Sequence, residues 1–126
     1  MRLRGNRIAI IEDEPAVLEQ LQQVLEAEGY HVLALLHPDL IPSIAGMLPL
    51  DLLLVDLRVL GGNGLQLVKE LRADGFHETP MVAVSASPQL LQDAVESGVF
   101  QGSLPKPFDL AMLLDTVEQH LKVTSV

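Results

Sequence analysis

The chain has 126 residues, enough for one compact domain with its own hydrophobic core and too few for two. Seventeen Asp and Glu residues against eight Lys and Arg residues give a net charge of −9, which argues against direct binding to nucleic acids or anionic membranes. Because there is no Cys, disulfide bonds and thiolate metal sites are excluded.

The N-terminal segment has no targeting pattern. Its basic residues run up to Arg7 and are followed by an apolar run of only four residues, which is too short for a signal peptide. No apolar run approaches the roughly 20 residues that cross a bilayer. We therefore expect a soluble, cytoplasmic protein that forms a single domain over 1–126, with its folded core at 7–122.

Short apolar stretches predict the strands in chain order. Four of them are bounded by polar or turn residues and lie at 8–11, 32–36, 52–55 and 81–84, and a weaker fifth lies at 100–104. Because the four clear stretches are apolar on both faces, they are typical of buried strands in a parallel sheet.

Apolar residues at helical spacing lie between these strands. The clearest stripe consists of Leu110, Leu113, Leu114, Val117 and Leu121. Helix starts are indicated at Pro15, Ser87 and Asp109, and helix ends at Gly29, Gly75 and Gly98. The helix between the second and third strands is shortened by Pro42, Gly46 and Pro49. Strands and helices in alternation predict an α/β fold, a doubly wound parallel sheet with right-handed crossovers.

Polar side chains follow four of the predicted strands. They are Glu12, Asp13 and Glu14 after the first strand, Asp56 after the third, Ser85 after the fourth and Lys106 after the fifth. Each has an ordinary explanation on its own, since acids favour a helix N-terminus and a lone lysine is usually a solvated surface charge. The carboxyl ends of parallel strands meet at one edge of the sheet, where ligands bind. The coincidence of all four groups at that edge predicts a functional site.

The chemistry of this predicted site favours phosphoryl transfer. Carboxylates drawn together repel one another and favour a hard divalent cation such as Mg²⁺. A metal ion and a lysine neutralise charge on a transferred phosphoryl group, while a carboxylate can supply the attacking oxygen.

These residues also resemble a known family. The motifs 11–15 (IEDEP), 55–57 (VDL) with 61–64 (GGNG), 85–86 (SA) and 106–108 (KPF) are similar in order and spacing to the receiver domain of bacterial response regulators. The resemblance covers nearly the whole chain. It implies a flavodoxin-like (βα)5 fold with strand order 2-1-3-4-5.

The resemblance also implies roles for the acids. Asp56 would be the phosphoacceptor, receiving its phosphoryl group from a sensor histidine kinase or a histidine phosphotransfer protein. Asp13 would bind Mg²⁺ directly, Glu12 directly or through water, and Asp56 and the backbone carbonyl of Arg58 would complete the protein ligands. Phosphorylation would switch contacts with a downstream protein, and a homodimer is one possible arrangement.

The remaining implied roles concern the phosphoryl group. Ser85 would form a hydrogen bond with a phosphoryl oxygen, and Lys106 would pair with the phosphate. The resemblance also implies a cis peptide bond between Lys106 and Pro107.

Three positions depart from the family pattern. Ser103 stands where the family usually has an aromatic switch residue, and a serine has little apolar area with which to bias two rotamer states. Leu60 stands where a proline is common. Pro105 cannot donate a hydrogen bond to a sheet, which is tolerated if the fifth strand lies at an edge.

Other functions stay open at this stage. The chain could be a receiver-like binding module that works without phosphorylation, which Ser103 would favour, or a receiver excised from a larger response regulator or hybrid kinase. A phosphatase similar to haloacid dehalogenases would need a second acid where Arg58 stands. A flavodoxin would need hydroxyls and N–H groups, not carboxylates, at 12–14.

Overall fold

The structure is a computed structural model that describes residues 6–36, 49–59 and 63–121. The described residues form one parallel sheet of five strands. In chain order the strands are β1 (Arg7–Ile11), β2 (His31–Leu35), β3 (Leu52–Asp56), β4 (Met81–Ser85) and β5 (Gly102–Pro105). Their spatial order is β2-β1-β3-β4-β5, so the predicted fold and strand order are confirmed, and β5 is an edge strand.

Four helices connect or follow these strands in the described part of the chain. They are α1 (Pro15–Ala27), α2 (Gly64–Ala73), α3 (Pro88–Ser97) and α4 (Leu110–His120). The predicted helix containing Pro42 and Gly46 lies outside the described residues, as does Leu60. Among the described helices, none has the length and apolar character needed to cross a membrane.

The helix ends follow the capping chemistry predicted from sequence. The side chain of Ser87 accepts a hydrogen bond from the N–H of Leu90 at 3.2 Å, which caps α3. Asp109 caps α4 by accepting from the N–H of Met112 at 2.8 Å. Gly98 ends α3 with a φ of 76°, a left-handed conformation that glycine adopts without steric cost.

The fifth strand is displaced from its predicted position, since it begins at Gly102, not at residue 100, and ends at Pro105. The side chain of Phe100 is buried in the core, and the carbonyl of Val99 accepts hydrogen bonds from the Arg72 guanidinium. The segment that precedes β5 is therefore held by a side chain of α2.

The sheet separates two apolar layers, because successive residues of a strand point to opposite faces. Ala9 and Ile11 of β1 pack in the layer that contains residues of α2 and α3, whereas Ile8 and Ile10 pack in the layer that contains residues of α1 and α4. Every residue of β3 and β4 is buried. Packing on both faces of the sheet therefore fixes the carboxyl ends of these two interior strands.

Arg72, near the end of α2, connects the two chain segments that lead into the amino ends of β4 and β5. Its guanidinium donates to the carbonyls of Phe76 and Thr79, both at 2.7 Å, just before β4. It also donates to Val99 O and to Gln101 Oε1, both at 2.6 Å, just before β5. Gln101 Oε1 in turn accepts from the N–H of Met81 at 2.8 Å. This arginine cluster (Arg72 with its four partners) anchors the amino ends of β4 and β5.

Candidate functional site

The carboxyl ends of the strands surround an open cavity of about 400 Å³. It is lined by Glu12, Asp13, Glu14, Asp56, Arg58, Ala86 and Lys106. The structure thus brings together acids from the ends of β1 and β3 and the lysine that follows β5. Lys106 forms an ion pair with Glu12, which is 94 residues away in the chain, and another with Asp56, which is 50 residues away.

Asp56 is the central carboxylate and is only 5% exposed. Its Oδ2 lies 2.9 Å from Lys106 Nζ, and its Oδ1 accepts a hydrogen bond from the N–H of Arg58 at 2.8 Å. Burial by itself would raise the pKa of Asp56, but hydrogen bonds from Glu12, Lys106 and the Arg58 N–H outweigh it and lower that pKa. Asp56 is therefore held as an ionised carboxylate at neutral pH.

Glu12 is the second buried acid, with 2% of its surface exposed. Its Oε2 lies 3.3 Å from Lys106 Nζ, and its Oε1 accepts from the N–H of Glu14 at 3.4 Å. Burial, followed by the neighbouring Asp56 carboxylate, raises the pKa of Glu12 to about 7. Near neutral pH this side chain can hold a proton and donate it in a hydrogen bond to Asp56.

Lys106 joins the two acids. Burial would lower the pKa of its ammonium group, but the Asp56 and Glu12 carboxylates outweigh burial and raise it, so the lysine stays charged. Its backbone N–H donates to the carbonyl of Ser85 at 2.9 Å. The Lys106–Pro107 peptide bond is cis, as the sequence resemblance implies.

A cluster of three acids could hold a metal ion. Oxygen atoms of Glu12, Asp13 and Asp56 all lie within 4.8 Å of one another, with Asp13 exposed and the other two buried. An all-oxygen set of carboxylates that leaves room for water is the ligand chemistry that Mg²⁺ prefers. The donor set therefore fits Mg²⁺, whereas the individual ligand roles, including that of the Arg58 carbonyl, stay predictions.

Ser85 ends β4 beside these groups and is 1% exposed. Its hydroxyl oxygen accepts a hydrogen bond from the N–H of Ser87 at 3.0 Å. Ser103 lies on β5 and is exposed. The predicted role of Ser85 in binding a phosphoryl oxygen stays a prediction.

Gly64 has a structural role at the site that the sequence analysis did not assign. It begins α2, and a Cβ atom placed on it would lie 2.7 Å from Leu57 Cα and 3.1 Å from the carbonyl oxygen of Asp56. Only a residue without a side chain lets α2 start this close to the end of β3. A glycine between a strand end and an apolar helical stripe is a signal that could have indicated such a close approach.

Comparison with known proteins gives matches over most of this chain. Residues 8–118 match the family model described as "Response regulator receiver domain". Over 121 residues, which is 92% of this chain, the sequence is 33% identical to the sensory/regulatory protein RpfC of Xanthomonas campestris. The chain spans 16% of the length of RpfC, and 32% to 54% of the transcriptional regulators that it also matches.

Two solved structures illustrate the similarity in fold. The chemotaxis protein CheY4 of Vibrio cholerae superposes with a TM-score of 0.82 at 21% identity, covering 93% of this chain and 99% of CheY4. The response regulator protein TrrA of Thermotoga maritima, solved in complex with Mg(2+)-BeF, gives a TM-score of 0.79 at 23% identity, covering 92% and 99% of the two chains. At these identities the similarity establishes the fold alone.

Proposed function

This chain belongs to the response regulator receiver domain family of two-component systems, and from that premise we propose that Asp56 accepts a phosphoryl group that switches its protein contacts. Receiver domains are signalling modules rather than classical enzymes, so the reaction modifies the protein itself. The observation that carries the proposal is the placement of a buried, ionised Asp56 between Lys106 Nζ and the Arg58 N–H, in a cavity open to solvent.

The proposed reaction is a displacement at phosphorus. A carboxylate oxygen of Asp56 attacks the phosphorus atom of a phosphohistidine on a sensor histidine kinase or a histidine phosphotransfer protein. A P–O bond forms as the P–N bond breaks, and the bonding electron pair leaves with the imidazole nitrogen. Lys106, which already contacts Asp56, then pairs with the phosphoryl oxygens, and the hydroxyl of Ser85 forms a hydrogen bond with one of them.

We assign the Mg²⁺ ligands in this reaction to Glu12, Asp13, Asp56 and the carbonyl of Arg58. A bound Mg²⁺ would neutralise negative charge on the phosphoryl oxygens. Two observations support the assignment: the clustering of the three carboxylates and the Mg(2+)-BeF complex of TrrA, a protein of the same fold.

The proposed output is a change in protein–protein contacts by a single domain with its core at 7–122, acting as a monomer or a homodimer. Because Ser103 is small and exposed, the conformational response should be concentrated in the loops after β3 and β4. The same residue favours the second candidate function, a receiver-like module whose binding does not depend on phosphorylation.

Incubation with Mg²⁺ and phosphoramidate, a small phosphodonor, tests the proposal. Mass spectrometry of the intact protein and of its peptides should show one phosphoryl group, located on Asp56. The variant Asp56→Asn should lose labelling by about 100-fold or more, because an amide oxygen is a far weaker nucleophile than a carboxylate. Asp51→Asn is the matched control, since Asp51 precedes the other end of β3 and should be dispensable for labelling.

Two results would contradict the assignment of the phosphoacceptor to Asp56. One is equal labelling of wild type and Asp56→Asn, and the other is a phosphoryl group located on a different residue. A wild-type protein that stays unlabelled while binding its partner would favour the phosphorylation-independent module.

A further inference from the structure

Large apolar side chains are exposed on the two helices that flank the edge strand β5. In the part of the chain that the structure describes, such side chains belong to Val95 of α3 and to Leu110 and Met112 of α4, which are 57%, 55% and 41% exposed. Both helices contact β5, and they pack on opposite faces of the sheet. Because β5 is an edge strand, the two helices and the strand between them form one continuous outer surface.

Val95 lies on the side of α3 that faces the open edge of the sheet. Asp93 lies on the other side, where it lines a cleft shared with Leu65 and Lys69 of α2. Successive residues of a helix are about 100° apart, so Asp93 and Val95 point in nearly opposite directions. Val95 therefore points away from α2 and toward the edge formed by β5.

Met112 lies on the side of α4 that faces the same strand. It begins a row of residues spaced by four that continues with Thr116 and His120, and residues spaced by four lie on one side of a helix. The ring of His120 lies against Gly102 of β5, since it is what a Cβ atom on that glycine would meet. Leu110 instead lines a groove between α4 and α1. Of the two exposed apolar residues of α4, Met112 thus faces β5 and Leu110 does not.

The charged side chains around these apolar residues are acids. From residue 73 to residue 121 the sequence contains one Lys or Arg, Lys106, and its ammonium group is directed into the candidate site. Exposed carboxylates are present on both helices, at Glu96 and Asp115. We call the exposed residues of this region the edge surface: Val95, Glu96, Ser103, Pro105, Met112 and Asp115. The edge surface is apolar and negatively charged, and it contains no basic residue.

The open edge of β5 is poorly suited to pairing with another strand. The N–H of Lys106 donates to the carbonyl of Ser85 on β4 at 2.9 Å. Since donors that face one neighbour recur at every second residue of a strand, the backbone of residues 103 and 105 faces outward. Residue 105 is a proline and has no N–H, so of these two residues only Ser103 can donate to an added strand. A partner that binds through side chains fits this edge better than an added strand does.

A second copy of this chain is also a poor partner for the edge surface. In a two-fold symmetric dimer the same patch of each subunit meets itself. The carboxylates of Glu96 and Asp115 would then face carboxylates, with no Lys or Arg of the edge surface to pair with them. Like charges across an interface lower affinity, so the charge of this surface favours a basic partner.

We propose that the edge surface binds a basic amphipathic helix of another protein. Apolar residues of that helix contact Val95 and Met112, and its Lys or Arg residues pair with Glu96 and Asp115. Burial of the apolar side chains supplies affinity, and the opposite charges supply specificity and fast association. The inference names the class of partner for the proposed output, and in that respect it rests on the proposed function.

Titration of the full chain with a synthetic peptide of Leu and Lys, arranged as an amphipathic helix and labelled with fluorescein, tests the proposal. Val95→Asn and Met112→Asn should each weaken binding by about tenfold, because each replaces a buried apolar contact by a polar group. Leu110→Asn is the matched control, since Leu110 is similarly exposed but faces α1, and it should keep the wild-type affinity. Equal weakening by Leu110→Asn and Met112→Asn would overturn the proposal.

Charge reversal separates the edge surface from the general negative charge of the protein. The double variant Glu96→Lys, Asp115→Lys should weaken binding of the peptide by about tenfold, and this effect should shrink as salt is added. The double variant Glu19→Lys, Glu26→Lys changes the net charge by the same amount through exposed acids of α1, and it should weaken binding by less than about threefold. Equal weakening by the two double variants would show attraction by net charge alone and would overturn the proposal.

Other occupants of the edge surface would give different results. A peptide of Leu and Glu that binds as tightly as the peptide of Leu and Lys would overturn the assigned charge of the partner. Sedimentation that shows a wild-type dimer, dissociated by Met112→Asn, would assign the surface to a second copy of this chain and also overturn the proposal. Specific binding of the Leu and Lys peptide by a protein whose Asp56 cannot be labelled would leave the edge surface standing and contradict the proposed function alone.

Discussion

Lys106 and Arg72 are partly buried cations at the carboxyl and amino ends of the strands, and their partners differ in charge. At the carboxyl end, Lys106 contacts two carboxylates, Asp56 and Glu12. At the amino end, Arg72 donates to carbonyl and amide oxygens that carry no net charge, among them those of Phe76 and Gln101. Both clusters satisfy buried polar atoms, but only one of them contains groups that can gain or lose a proton.

Because of this difference, the contribution of the Arg72 cluster to stability should be constant, whereas that of the Lys106 cluster should vary with solution conditions. The partners of Arg72 do not titrate near neutral pH, so its cluster should stabilise the fold to the same extent over a wide range of pH. The partners of Lys106 include Glu12, whose pKa is raised to about 7, together with acids that fit a metal ion. The stability of this end should depend on pH and on divalent cations.

The largest expected effect is that of Arg72→Ala on stability. The change removes the guanidinium donor from the part-buried carbonyls of Thr79 and Val99, whereas Phe76 O keeps the N–H of Thr79 and Gln101 Oε1 keeps the N–H of Met81. The free energy of unfolding should therefore fall by about 3 kcal/mol. Arg72→Lys keeps the charge but loses the forked donor geometry, and should recover less than half of this loss. Urea denaturation of the three proteins measures the effect.

Lys106→Ala is the matched change at the carboxyl end of the strands. It should lower the free energy of unfolding by less, about 1 kcal/mol. Glu12 can take up a proton in the variant and so relieve its repulsion from Asp56. If Lys106→Ala destabilised the protein as much as Arg72→Ala, the contrast between the two clusters would be wrong.

The next effect is the pH dependence of stability when divalent cations are removed by EDTA. The folded protein retains the Glu12 proton up to a pH of about 7, whereas an unfolded chain releases it near the ordinary value of 4.5. The folded state therefore binds more protons in this window, and the free energy of unfolding should fall as pH rises through it, by about 2 kcal/mol. The lowered pKa of Asp56 contributes only at lower pH, since it acts below its usual value of 3.8.

Glu12→Gln isolates the contribution of this carboxyl group to the pH dependence. The difference in unfolding free energy between wild type and Glu12→Gln should change with pH from 4.5 to 7, whereas the difference between wild type and Arg72→Lys should stay constant. Adding Mg²⁺ at neutral pH should restore part of the lost wild-type stability. A constant difference for Glu12→Gln would contradict the assigned pKa.

The last comparison concerns one glycine near each end of the strands. A Cβ on Gly64 would meet the backbone atoms of Leu57 and Asp56, whereas the three atoms nearest a Cβ on Gly102 would all belong to the His120 ring. Backbone cannot move without shifting β3, but a side chain can rotate away. Gly64→Ala should therefore destabilise by about 2 kcal/mol and slow labelling of Asp56, while Gly102→Ala should cost about 0.5 kcal/mol and leave labelling unchanged.

Thermal unfolding and the labelling assay check the two glycine variants. Removing the ring with His120→Ala should abolish the cost of Gly102→Ala. An equal cost for the two glycine substitutions would show that the helix end carrying His120 is as rigid as the end of β3.

Much of the fold could be predicted because its signals are local. Alternation of apolar runs and helical stripes identified all five strands. Pro15 located the start of α1, and the capping residues Ser87 and Asp109 located the starts of α3 and α4. The fifth strand was predicted to begin two residues too early and to end one residue too early. Periodicity cannot distinguish Phe100 and Gln101, which lie against the core and the Arg72 guanidinium, from residues of the strand itself.

The sequence by itself determined the composition of the candidate site. In a parallel sheet every strand ends at the same edge, so acids and a lysine that follow strands must converge there. Only the tertiary structure decided how deeply each group is buried, what it contacts and how its pKa is shifted. The raised pKa of Glu12 depends on burial and on Asp56, which is 44 residues away in the chain, and the partners of Arg72 lie up to 29 residues away. Distances of this kind are created when the layers pack, and no local pattern encodes them.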